Sequence, residues 1–289
     1  MIYLSNFELP NERVENEKIM NKMNIHADVY PFNLFTPKRF DYITFDPITI
    51  FYGGNGSGKT TLLNIISSKI KANRRNIDKK NELFKEYLDT CRYEFENEEE
   101  LKSIKYITSD DVFDYLLDLR AINSNVNRRK EELVKEYMNN KFGETKEYNS
   151  ALDEYDDLKN QVDARKMTAS QYVRTRLSKN TIVQESNGET ALDFWQNEIQ
   201  DDSLYIIDEP ENSLSAENQI KLKQFIEESA RFFNCQFIIA AHSPFLLSLK
   251  GATVYDLDSV PVEKKNWTQL ENVKVYYDFF KEHSSEFEE

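Results

Sequence analysis

Cysteine is scarce in this 289-residue chain: Cys91 and Cys235 stand far apart, with no CxxC and no Cys/His cluster. Neither a disulfide framework nor a zinc site is supported, and a reducing, cytoplasmic setting is expected. Long apolar runs are also lacking. The best one, Phe237 to Ala241, stops at His242 and Pro244, and Met1 to Pro10 has no basic stretch with an apolar run behind it. Neither membrane spanning nor secretion is therefore expected. Positive charge is in deficit, with 37 Lys and Arg against 51 Asp and Glu, a formal balance of -14. Such a field repels phosphate backbones at long range and argues against a protein that coats nucleic acid. A local basic patch can still act within a Debye length of about 8 Å. Apolar residues reach 39% and aromatic ones 13%, too much Phe and Tyr for a disordered chain. The length allows a sizeable core.

The segment Ile43 to Tyr52 is β-branched and aromatic, broken at Pro47, and runs straight into a glycine cluster. This reads as a strand feeding a loop. From Lys59 to Ala72, Leu62, Leu63, Ile65, Ile66 and Ile70 recur at helical spacing, so a helix follows the glycines. Asn81 to about Asn180 is rich in Glu, Lys, Asn and Tyr, with one Gly and no Pro, and has helical periodicity at Val112 to Leu119 and Leu152 to Val162. It reads as an inserted helical lobe. Its apolar heptads lapse after a few turns, which favours a short arm over a coiled coil. Three apolar runs follow, Leu204 to Ile207, Phe237 to Ala241 and Thr253 to Tyr255, with a helix-patterned segment from Ala216 to Phe233 between them. Strands alternating with helices imply an α/β fold with a largely parallel sheet. The acidic tail from Lys281 is expected to fray.

Gly53-Gly54-Asn55-Gly56-Ser57-Gly58-Lys59-Thr60 fits G-x-x-x-x-G-K-[ST] between an expected strand and an expected helix. Its backbone N–H groups can curl around phosphate oxygens, and the helix N-terminus adds a favourable dipole. Lys59 is expected to reach the β- and γ-phosphates, and Thr60, followed by Thr61, offers a hydroxyl to Mg²⁺. Leu204-Tyr-Ile-Ile-Asp208-Glu209-Pro210 is an apolar strand ending in two acids and a chain break. Asp208 at its tip is suited to hold Mg²⁺ through water, and Glu209 to orient or deprotonate an attacking water.

With these motifs in order, the chain resembles ATPases of the ATP-binding-cassette (ABC) type, in the soluble branch that includes the SMC, RecF and OLD-like proteins. ITSDDVF at Ile107 to Phe113, SNGE at Ser186 to Glu189 and DEPENSLS at Asp208 to Ser215 also resemble a group of stand-alone bacterial AAA-family ATPases. The resemblance implies a P-loop NTPase with an ABC-type head that binds ATP and Mg²⁺ and hydrolyses ATP. It makes Ser186, with Gly188 behind it, the counterpart of a signature helix start that meets the γ-phosphate held by the other subunit. An ATP-sandwiched homodimer follows from that. Read alone, SNGE is a helix cap. His242 matches the family's switch histidine, and Glu211 to Ser215 match the loop that crosses the dimer interface, with Ser215 where an Asp is usual. The family's Gln after the phosphate-loop helix is missing: either Ser109 or Asp110 takes its metal-facing position, or the sensor is absent.

The expected organisation is one ABC-type domain. Residues 1–80 carry the N-terminal strands and phosphate loop, 81–190 the helical lobe ending in the signature, and 191–289 the Asp-Glu strand, switch histidine and C-terminal helix. Phe35, Phe40 and Tyr42 are candidates for stacking on adenine. DNA or an effector protein is a candidate further partner, in a nucleic-acid-related or defence process. The alternative is a nucleotide-binding energy-coupling subunit of a membrane transporter, which the missing Gln disfavours. Basic clusters at Lys71 to Arg75, Arg128 to Lys130 and Arg174 to Arg176 read as solvated helix faces.

Overall fold

The computed structural model describes residues 1–20, 30–75, 82–142, 153–176, 187–212 and 214–287. It opens with β1 (Leu4–Glu8) and α1 (Glu12–Met20), then β2 (Tyr42–Thr44), β3 (Ile48–Tyr52), α2 (Lys59–Lys69), β4 (Asn73–Arg74), α3 (Glu82–Thr90), β5 (Arg92–Phe95) and β6 (Ser103–Thr108). Helices α4 (Ser109–Phe142), α5 (Asp153–Lys166), α6 (Ala169–Arg176) and α7 (Asn187–Glu198) follow. The remainder is β7 (Ser203–Asp208), α8 (Ala216–Phe232), β8 (Gln236–Ala240), α9 (Pro244–Leu247), β9 (Thr253–Asp256), β10 (Glu263–Lys265) and α10 (Glu271–Glu282).

Among the described residues, seven strands form one sheet in the order β10-β9-β3-β8-β7-β6-β4. Every pairing in it is parallel except β10 with β9. This is the mixed α/β fold with a mostly parallel sheet that the alternating runs imply. β3, β7 and β8 are buried along their whole length, as parallel strands covered on both faces must be. Leu62, Leu63, Ile65 and Ile66 of α2 are fully buried and share one core with Phe51, Leu204, Ile206 and Ile238.

The expected strand over Ile43 to Tyr52 is in fact two. β2 joins β1 and β5 in a separate antiparallel sheet, and β3 begins after the break at Pro47. Gln236 fastens that small sheet to the large one: its buried amide oxygen accepts Tyr3 N and Leu4 N at 2.8 Å each, and its Nε2 donates to Leu4 O at 2.9 Å. The stretch read as helical from Asn81 onward also holds β5 and β6. Both are short and interleaved with charge, so their period-2 signal is weak.

The chain divides into two compact units, Met1–Phe113 with Asn187–Glu289, and Asp114–Ser186. The second is helical. Tyr137, Ala164 and Tyr172 form its small buried cluster, the Tyr172 hydroxyl donates to Glu136 at 2.7 Å, and the Arg176 guanidinium lies 3.7 Å from the Tyr172 ring centroid. Helix α4 alone runs 34 residues, longer than the short arm expected from its interrupted heptads. Among the described residues no helix is long and apolar enough to cross a membrane.

Candidate active site

Parallel pairing sets the strand ends level. One register row crosses the sheet as Tyr255, Phe51, Ala240, Asp208 and Thr108. The chain therefore leaves β3, β8, β7 and β6 along one edge, the carboxyl edge where open α/β sheets hold ligands. The glycine loop, His242, Glu209 and Ser109 all follow this row directly.

The loop between β3 and α2 curls tightly. Ser57 N donates to Gly54 O at 3.2 Å, and Gly56 and Gly58 hold φ of 81° and 102°, the left-handed region that side chains resist. Gly53 is glycine for another reason: a Cβ there would sit 2.5 Å from Ser57 Oγ. Asn55 and Gly56 are exposed along the rim. Lys59 is buried, and its Nζ donates to Gly53 O and Gly54 O at 2.8 and 3.1 Å. Thr60 and Thr61 open α2, with Thr61 Oγ1 3.0 Å from the Tyr30 hydroxyl.

Two braces on this loop are invisible in the motif. Asp258, just past β9, accepts Gly54 N at 2.7 Å, and Lys38 Nζ donates to Ser57 O at 2.6 Å and Leu257 O at 2.7 Å. Burial pulls the Lys38 amine down, against the attraction of Asp258 and Asp256. Neither has a local sequence signature, because each acts from a distant segment.

Asp208 is 6% exposed and its Oδ1 has no hydrogen-bond partner. Burial pushes its carboxyl up to about 6; the Thr60 hydroxyl and Lys59 lower it, and Glu209 and Glu211 raise it further. Glu209 turns at φ 49°, a conformation that costs an L residue about 1–2 kcal/mol. The turn is held by Glu209 N donating to Ala240 O at 2.9 Å, and its Oε2 accepts Asn212 Nδ2 at 3.0 Å. Its Oε1 stands 3.8 Å from Lys59 Nζ and 3.9 Å from His242 Nδ1. The structure thus brings Lys59, Glu209 and His242 together.

His242, about half exposed, is positioned by Glu211. The nearly buried Glu211 Oε1 accepts His242 N at 2.6 Å and Ser243 N at 3.0 Å, and lies 3.1 Å from His242 Nδ1. Burial raises the Glu211 carboxyl, while these amides and the imidazole oppose the rise. Sequence reasoning placed Glu211 in a crossing loop but gave it no role. Ser215 is the N-cap of α8, accepting Asn218 N at 3.3 Å, a structural use for the residue that replaces the usual Asp.

Gly188 lies in the first turn of α7, and Ser186 lies outside the described residues. Phe35 and Phe40 belong to the core, at 1% and 4% exposure, and are not free to stack on a base; Tyr42 is exposed on β2. Arg75 is exposed, as expected, but it follows β4 rather than lying on a helix, pairs with Glu198 and lies 5.1 Å from the Phe194 ring centroid.

Parallel α/β sheet, glycine loop at the turn from β3 to α2, and acids at the tip of β7, one strand removed along the same edge, define a P-loop ATPase domain. Residues 48–201 match the family described as AAA domain, putative AbiEii toxin, Type IV TA system, and the chain belongs to that family. This agrees with the AAA-family ATPase expected from the motifs. Among solved structures the chain is similar to the SMC head domain from Thermotoga maritima, 12% identical with a TM-score of 0.37 over 92% of this chain and 99% of that one. It is similar to Stu0660 of Streptococcus thermophilus, 13% identical with a TM-score of 0.39 over 90% and 76%. A third is the Smc head domain with an extended coiled coil bound to the C-terminal domain of ScpA from Pyrococcus furiosus, 11% identical with a TM-score of 0.39 over 96% and 100%. No curated protein matches.

Proposed function

We propose that this protein is a Mg²⁺-dependent ATPase in which two copies close head to tail over two ATP molecules. The observation that supports this most is the shared strand edge, which sets the glycine loop, Asp208, Glu209 and His242 side by side. The backbone N–H groups from Gly53 to Gly58 and the N-terminus of α2 receive the phosphates. Lys59 exchanges its loop carbonyls for the β- and γ-phosphate oxygens. Glu209 takes the proton from the water that attacks the γ-phosphorus, and the bond to the β–γ bridging oxygen breaks. His242, held by Glu211, faces the γ-phosphate. Ser186 and the start of α7 reach the phosphate bound by the other subunit.

The residues present fit the metal. Among the described residues no three His, Cys, Asp or Glu side chains gather as a metal cage, which suits Mg²⁺, a cation that keeps its waters and takes one or two carboxylates. The unpartnered, buried Asp208 Oδ1 beside the Thr60 hydroxyl is such a donor set. Thr60 and Asp208 would hold the ion, which would supply positive charge to offset that of the phosphates.

Purified protein should release phosphate from ATP with Mg²⁺ and stop with EDTA, and ATP should double its mass in light scattering after size exclusion. No turnover with Mg²⁺ under any condition that binds ATP would refute the hydrolase reading. The cycle serves a defence or nucleic-acid-related process, a reading supported by the toxin–antitoxin term in the family description. With a formal charge of -14, the isolated protein should bind duplex DNA weakly and in a salt-sensitive way, tight binding requiring ATP-driven closure or a partner. Nanomolar binding without ATP at physiological salt would contradict this.

A further inference from the structure

We propose that Asp111 is a second carboxylate of the divalent-cation site, acting beside Thr60 and Asp208 in place of the missing Gln; this rests on the ATPase reading above. Thr108 ends β6 directly opposite Asp208 in the register of β7. Asp111 stands three residues on, in the first turn of α4, and is 3% exposed. Its Oδ2 is fully engaged in capping the helix: it accepts Thr108 N at 2.8 Å and the Thr108 hydroxyl at 2.9 Å. Its Oδ1 is buried with no partner.

A helix cap needs only one of those oxygens. Leaving the other dry and unpaired costs free energy, because a buried carboxylate oxygen loses its water without replacement. The same cavity resolves that cost. Asp111, Asp208, Thr60 and Glu209 line one polar space of about 310 Å³, and Asp111 and Asp208 each keep one buried, unpartnered carboxylate oxygen. Arg74 also lines the space, but its guanidinium already donates to Asn64 Oδ1 at 2.9 Å and lies 4.2 Å from the Tyr106 ring centroid. Asp111 and Asp208 would together hold a hard divalent cation, a class of ion that takes one or two carboxylates and keeps part of its water shell. Ser109 and Asp110, the residues expected at this position from sequence, line the same space, but Asp110 is exposed, so water already solvates its carboxylate.

The test is a titration of Mn²⁺ into protein saturated with ADP, with free Mn²⁺ read by electron paramagnetic resonance. Asp111→Asn keeps an amide oxygen for Thr108 N and removes the charge. It should weaken Mn²⁺ about tenfold or more, the usual scale for groups that orient a metal site. ADP affinity in EDTA should stay as in wild type. Asp110→Asn should change Mn²⁺ affinity less than about threefold, as an exposed and screened charge does. Unchanged Mn²⁺ affinity in Asp111→Asn, or an equal loss in Asp110→Asn, overturns the proposal. Failure of the wild-type protein to bind Mn²⁺ with ADP would instead sink the ATPase reading. Should Asp111→Asn not fold, Asp111→Ser, which keeps a capping oxygen, is judged by the same titration.

Discussion

Glu209→Gln should bind ATP about as tightly as wild type and hydrolyse it roughly 10²–10⁴-fold more slowly, the usual loss when a positioned base is removed. The substitution is close to isosteric. Gln keeps an oxygen for Asn212 Nδ2, the backbone bond to Ala240 O is untouched, and the left-handed φ of 49° costs Gln as much as it costs Glu. Fold and loop geometry therefore survive while proton acceptance is lost. Lys59 loses a carboxylate at 3.8 Å but keeps both loop carbonyls, so phosphate binding should change little. Because hydrolysis reopens the proposed sandwich, ATP should then trap the dimer, seen as a stable doubled mass in size exclusion. Phosphate release at the wild-type rate would remove Glu209 from its role.

How much of this site was legible in the sequence follows from how local each part is. The glycine loop is eight consecutive residues between a strand and a helix, and the Asp208-Glu209 pair sits on an apolar run, so each declares its place without tertiary information. Asp111, Glu211, Lys38 and Asp258 do not. Asp111 has an equally acidic neighbour in Asp110, and only the phase of α4 decides which of the two is buried. Glu211 becomes meaningful once β7 and β8 lie side by side and their exits meet. Aromatic identity misled in the opposite direction: Phe35 and Phe40 look available for a base, yet they fill the core around Phe51 and Tyr255. Val112 to Leu119, where helical periodicity is sustained, lies within α4. β6, six residues alternating Ile104, Lys105 and Tyr106, gave too short a signal among charged neighbours.

Ser186→Arg should leave ATP binding by the single subunit nearly intact, since the loop from Gly53 to Thr60 belongs to the same chain and is untouched. It should abolish ATP-dependent dimerisation, because in the proposed sandwich a bulky cation immediately before Asn187 in the chain would keep the N-terminus of α7 from the opposing γ-phosphate. Lys59→Ala should fail for the other reason. Its buried amine donates to Gly53 O and Gly54 O and stands 3.8 Å from Glu209, and removing it removes the proposed contact to the β- and γ-phosphates, so nucleotide affinity itself should collapse. Mixing the two inactive proteins assembles one intact composite site, with Lys59 from the Ser186→Arg subunit and Ser186 from the Lys59→Ala subunit. The same mixture also assembles one site lacking both. Partial ATPase activity should therefore return, with at most one working site per mixed dimer, and it should peak at equal amounts of the two proteins. Full activity and ATP-driven dimerisation by Ser186→Arg alone would overturn the sandwich and leave the start of α7 as an ordinary helix cap.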